Sequence, residues 1–210
     1  EYMVKVVDYA SHLGGVKYLT PDQVAFIDNW EVENYRRKVA KGSGNGSRLA
    51  NRTAIVTGGG QGFGAGIAEA LAEKNMNVVV ADLNETTGSA LAAKLNAAKR
   101  TSHAVFAKTN VADALSVEEM ITACVREFGG FDILVSNAGV LRAGGLEEME
   151  PEVFSMTTDV NYKGYFLCTQ YASEILKIQN RENPSYFSDI IQINSKSGLR
   201  GSNRNFAYAG

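Results

Sequence analysis

Residues 53–64 read TAIVTGGGQGFG, and this stretch decides the fold. The short apolar run from Thr53 to Val56 is typical of a buried strand, and it leads directly into a glycine-rich loop. Between Ala65 and Lys74, Ile67 and Leu71 are spaced for one face of a helix. Glycines let the backbone turn sharply and approach a pyrophosphate, and the N-terminus of a helix offers unpaired N–H donors. The stretch therefore predicts a strand, loop and helix that bind the phosphates of a dinucleotide.

A carboxylate follows the second predicted strand. The apolar run from Asn77 to Ala81 ends at Asp82, which lies 18 residues after Gly64. A carboxylate in this place accepts hydrogen bonds from the ribose hydroxyls of adenosine and repels a 2′-phosphate. Asp82 therefore favours NAD over NADP. The alternative interpretation is a structural glycine turn with a surface aspartate beside it.

Strands and helices alternate along the rest of the chain. Further helices are predicted at 85–99, 116–128 and 151–180, and further strands at 103–107, 131–135 and 189–194. Ser116 and Glu119 have the spacing of a capping box, and Pro151 is suited to the first turn of a helix. Apolar strands separated by helices predict an α/β fold in three layers, with a doubly wound, mainly parallel sheet covered on both faces.

The run GSGNGS at 42–47 divides the chain. It has few side chains to bury and the composition of a flexible linker. Before it, Thr20-Pro21-Asp22-Gln23 predicts a helix from about Pro21 toward Ala40, and a shorter helix is predicted around Met3 to Ser11. Two helices of this size cannot bury a core of their own. We therefore expect a helical N-terminal segment at 1–41, either a docking hairpin or the tail of a preceding domain, and a dinucleotide-binding domain at 48–210.

The composition excludes several classes of protein. The 210 residues carry 21 basic and 23 acidic side chains, a net charge of -2, which predicts neither nucleic-acid nor anionic-membrane binding. The apolar runs are too short for a membrane helix. Two histidines and two cysteines, Cys124 and Cys168, lack the spacing of a metal site, so no metal is expected. Two isolated thiols suit a reduced, cytoplasmic protein.

Five motifs in the same order resemble the short-chain dehydrogenases/reductases, over about residues 48–210. The first is the Thr-Gly-x-x-x-Gly-x-Gly pattern at 57–64. The family's Asn-Asn-Ala-Gly motif stands at 136–139 with Ser136 in place of the first Asn, and Asn110-Val111 stands where Asp-Val is usual. The resemblance implies a Rossmann fold, NAD as cofactor, a small-molecule substrate and a homo-oligomer. It implies these cofactor-binding residues: Thr57, Gly58, Gln61, Gly62, Phe63, Gly64, Asp82, Asn110, Val111, Asn137, Ala138 and Gly139.

The last two motifs carry the expected catalytic residues. Asn161, in Asp159-Val160-Asn161, resembles the family's active-site asparagine, and Ser195 lies 13 residues before Tyr208, as the catalytic serine and tyrosine do in the family. The resemblance implies that Tyr208 exchanges a proton with the substrate hydroxyl, Ser195 orients that oxygen and Asn161 holds a water relay. Local alternatives are an outward-pointing Asn161, a packing role for Tyr208, and Ser197 in the place of Ser195.

The family's Tyr-x-x-x-Lys motif places its lysine at position 212, and the sequence ends at Gly210. We therefore expect the chain as given to be C-terminally incomplete and catalytically inactive. Two other function classes stay open. One is a non-catalytic dinucleotide-binding sensor or scaffold, and the other is a nucleotide-sugar epimerase or dehydratase of the same fold.

Two features bear on the substrate. Arg142, Lys196, Arg200 and Arg204 lie in the loops after the fourth and fifth strands, where they either hold a phosphate or carboxylate or are ordinary solvated charges. The segments 14–21 and 27–31 are similar to the linker of bacterial proteins that fuse a class II aldolase-like domain to a short-chain dehydrogenase. That resemblance implies a polyol, sugar or sugar phosphate, such as sorbitol 6-phosphate.

Overall fold

The computed structural model describes residues 20–22, 48–98, 100–183, 185–186 and 188–209. The chain divides into two units, Glu1–Gly46 and Ser47–Gly210. The predicted helix around Met3 to Ser11, the predicted helix from Pro21 to Ala40 beyond its first two residues, and the linker at 42–47 lie outside the described residues. The domain boundaries drawn from them stay predictions.

Five parallel strands form one sheet in the order β3-β2-β1-β4-β5. The strands are β1 (Thr53–Thr57), β2 (Asn77–Asp82), β3 (Ala104–Lys108), β4 (Ile133–Ser136) and β5 (Asp189–Gln192). The chain moves outward from β1 in one direction through β3 and in the other direction through β5. The strand order therefore reverses between β1 and β4, and ligands of open α/β sheets bind at such a reversal.

The helices between the strands have the following bounds: α1 (Gly62–Glu73), α2 (Glu85–Ala97), α3 (Ala114–Phe128), α4 (Pro151–Thr158), α5 (Gly164–Glu182), α6 (Ser197–Arg200) and α7 (Phe206–Ala209). A π-helical turn, Asp159–Lys163, joins α4 to α5, so the long helix predicted from Pro151 is continuous but changes its winding. Pro151 occupies its first turn as predicted. In the described residues no helix is both long and apolar enough to cross a bilayer.

The predicted capping box at Ser116 is wrong. Helix α3 begins two residues earlier, at Ala114, and Asp113 caps it by accepting a hydrogen bond from the Leu115 N–H at 3.0 Å. The Ser116 hydroxyl instead accepts from the Asn110 N–H at 2.9 Å. Asp113 is an equally good capping residue that comes first along the chain, so the helix starts there. At the other end, Gly129 is left-handed, with φ of 80°, as a helix stop requires.

Two apolar clusters cover the two faces of the sheet. Ile55 of β1 packs in one cluster with α3 and α5, and its neighbours Ala54 and Val56 pack in the other with α1 and α2. This alternation follows from the two-residue period of a strand. The three-layer α/β/α architecture is thus confirmed for β1 to β4. β5 lies at the edge of the sheet, and most of its side chains are exposed.

Candidate functional site

The loop after β1 turns into α1 at the carboxyl edge of the sheet. Gly58 and Gly62 have positive φ, 61° and 56°, a conformation that side chains rarely adopt. Helix α1 begins at Gly62, and its N-cap residue, Gln61, makes no side-chain capping hydrogen bond. The first turn of α1 also has no acidic residue. Its N–H groups are therefore available to an anion, which the helix dipole also favours.

Two of the loop's glycines are required by close backbone contacts. A Cβ on Gly58 would lie 2.9 Å from Ala138 Cα, and one on Gly64 would lie 2.6 Å from Asn137 Nδ2 and collide with the Gly58 carbonyl oxygen. A Cβ on Gly62 would meet open space, so only its φ explains that glycine. The loop therefore passes close to the segment after β4.

Thr57 and Asn137 join these two segments. The Thr57 hydroxyl accepts from the N–H groups of Asn137 and Ala138 at 3.0 and 3.1 Å. The Asn137 side-chain amide donates in return to the carbonyl oxygens of Thr57 and Gly58 at 3.0 and 3.2 Å. Thr57 is fully buried. These two predicted site residues therefore shape the loop, because the Thr57 hydroxyl and the Asn137 Nδ2 are bonded to the backbone.

Asp82 ends β2 beside the loop. Its Oδ2 accepts from the Gly60 N–H and its Oδ1 from the Asn84 N–H, each at 2.8 Å. The residue is buried, and no described cation pairs with it. The alternative of a surface aspartate is wrong, because this carboxylate lies under the loop and supports it. Gly60 and Asn84 were not among the site residues predicted from the sequence. The position of Asn84 as the N-cap of α2, two residues after Asp82, is the signal that could have found it.

The other predicted cofactor residues fall into two groups. Phe63 and Gln61 are exposed at the start of α1, with 85% of the Phe63 surface accessible. Val111 is buried in the core, where a Cβ on Gly164 would lie 2.8 Å from its Cγ2, and Asn110 closes a local turn by accepting from the Ala112 N–H. Val111 thus positions the loop after β3, and Asn110 shapes it.

Asn161 lies in the π-helical turn and contacts the segment after β4. Its Oδ1 accepts from the Val140 N–H at 2.8 Å, and its Nδ2 donates to the Val140 carbonyl oxygen at 2.9 Å. The alternative of an outward-pointing asparagine is therefore wrong. A π-helical turn interrupts the regular i−4 hydrogen bonding of a helix, and such turns are frequent at functional sites. Val140, 21 residues away, was missed because nothing local in the sequence signals it.

Ser195 and Tyr208 lie in the segment after β5. The Ser195 hydroxyl accepts from the Ser197 N–H at 3.2 Å, and Ser197 is the first residue of the short helix α6, whose N-cap residue is Lys196. Tyr208 is half-buried in α7, whose start is fixed by the Phe206 N–H donating to the Gly144 carbonyl oxygen at 3.1 Å. Among the described residues no hydrogen bond links Tyr208 to Ser195 or Asn161. All three nevertheless belong to segments at the carboxyl edge of the sheet.

The four cations of these loops differ in their partners. Arg204 forms an ion pair with Glu148 at 2.7 Å, and Arg142 donates to the carbonyl oxygen of its neighbour Leu141. Lys196 and Arg200 are exposed and make no ion pair within the described part of the chain. Of the four predicted anion-binding side chains, only Arg204 therefore has its charge paired within the described residues, and Lys196 and Arg200 are the two exposed cations without a partner there.

The buried thiols take no part in this site. Burial raises the pKa of Cys124 and of Cys168 to about 12, and the charge of Asp132 adds to the effect at Cys124. Both thiols lie in the core and stay protonated near neutral pH, so neither is a nucleophile. Within the described residues no cluster of three or more His, Cys, Asp or Glu side chains is arranged to hold a metal.

Comparison with known proteins agrees with this geometry. The chain is 35% identical over 166 residues to a trans-4-hydroxycyclohexanecarboxylate dehydrogenase of Sinomonas cyclohexanicum, a match covering 77% of this chain and 61% of that protein. It is 42% identical over 123 residues to a D-threitol dehydrogenase of Mycolicibacterium smegmatis, covering 59% of this chain and 46% of that protein. The chain thus spans between about half and two thirds of the length of these relatives.

A crystal structure of a short chain dehydrogenase from Mycobacterium avium superposes with a TM-score of 0.73 at 29% identity, covering 78% of this chain and 59% of that one. The family model for short chain dehydrogenases matches residues 52–210. This span contains all five strands of the sheet, the glycine loop and every predicted site residue. The chain therefore belongs to the short-chain dehydrogenase family.

Proposed function

We propose that this protein is an NAD-dependent oxidoreductase that interconverts a secondary alcohol and a ketone. Members of its family are oxidoreductases that typically bind a nicotinamide dinucleotide. One observation carries the assignment to this site: the N-terminus of α1 is uncapped and lies next to a buried carboxylate, Asp82, that has no described cation as a partner. The first feature suits a pyrophosphate and the second suits an unphosphorylated ribose.

The residues of the loop fit such a cofactor. Gly58 and Gly64 let the loop pass against the segment after β4, Gly62 supplies the positive φ at the start of α1, and Phe63 offers an exposed aromatic surface there. Thr57 and Asn137 hold the loop against Ala138. The Asp82 charge disfavours a 2′-phosphate by direct repulsion, which supports NAD over NADP.

The catalytic roles are assigned to Tyr208, Ser195 and Asn161. Tyr208 would take the proton of the substrate hydroxyl, and a nicotinamide held by the glycine loop would supply the hydride acceptor. Ser195 orients the substrate oxygen with its hydroxyl. Asn161 acts through Val140, because both ends of its side-chain amide bind that backbone, and so it positions the loop that carries Gly139. In the reverse direction Tyr208 donates the proton.

The proposed substrate is a polyol, sugar or sugar phosphate. The unpaired Lys196 and Arg200 support it, because Lys and Arg side chains bind phosphate oxygens well. The likeness to a D-threitol dehydrogenase supports the unphosphorylated alternative. We also propose that the protein forms a homo-oligomer in the cytoplasm. Family members typically oligomerise, and two free buried thiols suit a reducing compartment.

The test is an assay of NAD and NADP with phosphorylated and unphosphorylated polyols and with cyclic alcohols, following absorbance of the reduced cofactor. In a protein whose chain extends to the lysine of the Tyr-x-x-x-Lys motif, we expect turnover with NAD and a polyol, and a loss of at least about a hundredfold in Tyr208→Phe, since general-base catalysis contributes that much. Leu199→Ala, an exposed change in the same segment, serves as the control. Dinucleotide binding without turnover on any alcohol would indicate the non-catalytic sensor instead.

A further inference from the structure

Two backbone N–H groups hold the Asp82 carboxylate against the glycine loop. The donors belong to Gly60 and Asn84, one for each oxygen. Each carboxylate oxygen has a second lone pair, which these bonds leave available to a hydroxyl. Because charge-assisted hydrogen bonds depend on direction, the orientation of the carboxylate decides how well it accepts from a ribose.

Among the described residues no cation forms an ion pair with this carboxylate. Lys108 is the neighbour of Asp82 across the β2–β3 pair, but its ammonium group lies 3.2 Å from Glu85. Lys108, the cation that the sheet places next to Asp82, is therefore paired with Glu85 in the described part of the chain. The negative field at the end of β2 is retained, and that field opposes a 2′-phosphate.

Gly60 leaves no room for a side chain beside Asp82. A Cβ built on Gly60 would lie 2.8 Å from Thr87 Oγ1, 2.9 Å from Asp82 Oδ2 and 3.1 Å from Asp82 Cγ. Carbon and oxygen atoms that are not hydrogen-bonded do not approach so closely without repulsion. Something must shift, and the movable groups are the two side chains.

Thr87 is the less movable of the two. Its N–H donates to the Asn84 side chain at 3.2 Å and its hydroxyl donates to the Asn84 carbonyl oxygen at 3.4 Å, so both its backbone and its Oγ1 are tied to the cap of α2. The Asp82 carboxylate is held by the N–H groups of Gly60 and Asn84, and it can turn about its side-chain torsions once the bond from Gly60 breaks. A side chain at position 60 would therefore turn the carboxylate and break its bond with the Gly60 N–H.

We propose that Gly60 and Thr87 determine cofactor specificity by position: Gly60 holds the Asp82 carboxylate through its N–H, and Thr87 closes the space beside Gly60, so that the carboxylate keeps the orientation that selects the unphosphorylated ribose of NAD. The inference rests on the proposed function. It extends that function by assigning the preference for NAD to two uncharged residues on different elements, the glycine loop and the first turn of α2. Both are positioning residues, because they act through Asp82.

Gly66 provides a matched control. It lies in the same helix-forming stretch, a Cβ on it would meet nothing within 4 Å, and its φ is ordinary. Gly60→Ala and Gly66→Ala therefore make the same chemical change six residues apart, one against Asp82 and one into solvent. A third variant, Gly60→Ala with Thr87→Ala, removes the Oγ1 that the new methyl group would meet.

The experiment measures dissociation constants for NAD and NADP by calorimetry, at one ionic strength, together with the melting temperature of each variant. In Gly60→Ala we expect NAD binding to weaken by about tenfold or more and NADP binding to change by less than about threefold, because only the bonds to the ribose hydroxyls are lost. Gly66→Ala should keep the ratio of the two constants. The double variant should recover at least half of the lost preference.

Equal weakening of both cofactors in Gly60→Ala would overturn the inference, because it would indicate a general loss of loop shape. An unchanged ratio of the NAD and NADP dissociation constants in Gly60→Ala would overturn the inference as well. If Gly60→Ala does not fold, Thr87→Leu is the second variant, because it enlarges the side chain that lies next to Gly60. It should lower the preference for NAD over NADP, and an unchanged preference counts against the inference. If the unchanged protein prefers NAD and the Gly60 and Thr87 variants keep that preference, the inference fails but the proposed function is not contradicted. A protein that binds neither dinucleotide would overturn both.

Discussion

At the scale of single residues, the uncharged Thr57 shapes the site through direct hydrogen bonds to the segment after β4. Its buried hydroxyl accepts from two backbone N–H groups of the segment after β4 and lies 3.4 Å from the Val135 carbonyl oxygen, to which it donates. One side chain thus fixes the distance between the two segments that border the proposed pyrophosphate. A change that keeps its shape but removes its oxygen isolates this role.

Thr57→Val should destabilise the protein by about 2–4 kcal/mol, because two N–H groups lose their acceptor at almost constant side-chain volume. Thr57→Ser keeps the hydroxyl and should cost about 1 kcal/mol, the effect of one buried methyl group. Urea denaturation measures both values, and NAD titration of the same samples should show weaker binding only in Thr57→Val. Equal losses in the two variants would contradict the role given to the hydroxyl.

The buried thiols predict a dependence of stability on alkaline pH. Their pKa is raised from 9.0 to about 12 in the folded protein, so between about pH 9 and 12 the unfolded chain has lost protons that the folded chain keeps. Stability is therefore full below about pH 9 and falls above it, by about 1.4 kcal/mol per pH unit for each thiol. Unfolding in urea from pH 8 to 10.5 should give a shallower slope for Cys168→Ala. Parallel slopes would contradict this account.

At the scale of elements, α2 depends on a glycine at its contact with β3. A Cβ on Gly88 would collide with the ring of Phe106. Both residues lie on the face of the sheet that α1 and α2 cover. The interior of a helix ordinarily disfavours glycine by about 1 kcal/mol relative to alanine, so packing has overridden propensity here.

Gly88→Ala should lower the free energy of unfolding by about 1–3 kcal/mol despite its better helix propensity, because the Phe106 ring has to move. Gly66→Ala, in the exposed face of α1, is the control and should stabilise by up to about 1 kcal/mol. Adding Phe106→Leu should restore part of the loss in Gly88→Ala. Additive effects of the two changes would mean that the residues do not interact.

The sequence predicts the elements better than it predicts their ends. Every strand and helix expected between 53 and 200 is present, because strands with a buried apolar run and helices with an apolar stripe differ clearly in period. The predicted start of α3 was wrong because Asp113 and Ser116 are both good N-cap residues, and capping preference does not rank one above the other. The π-helical turn at Asn161 was not predictable, since one extra residue in a turn leaves the surrounding pattern nearly unchanged.

Contacts within the site were predictable only in part. The glycine pattern and Asp82 could be read locally, because each is placed by the end of its own strand. The partners of these residues were not, because Gly60 is 22 residues from Asp82 and Asn161 is 21 residues from Val140. Such pairs are set by the parallel packing of the whole sheet.

At the scale of the whole molecule, the two ends of the sheet are built differently. At the carboxyl end lie the uncapped start of α1 and the Asp82 carboxylate, whose oxygens can each accept one more hydrogen bond. At the amino end, buried Asp132 accepts from the Thr53 N–H at 2.7 Å and from the Tyr186 hydroxyl at 2.6 Å, and Arg52 lies 3.5 Å away. Burial, followed by the bond to Asp132, raises the pKa of Tyr186, so this hydroxyl stays a donor.

This division predicts that stability and dinucleotide binding respond to different carboxylates. Asp132→Asn removes a charge that a guanidinium and two donors share, and it should lower the free energy of unfolding by about 2–3 kcal/mol, because hydrogen bonds to charged groups contribute about that much. Its NAD dissociation constant should stay within about twofold, since β1 and β4 keep their register. Asp82→Asn is the matched change at the other end, and it should weaken NAD binding by about tenfold, with a smaller loss of stability than Asp132→Asn. Urea denaturation and calorimetric titration of both variants measure the two effects. If Asp132→Asn weakened NAD binding as much as Asp82→Asn does, the amino-end network would be transmitting its state along the strands, and the two ends of the sheet would not be independent.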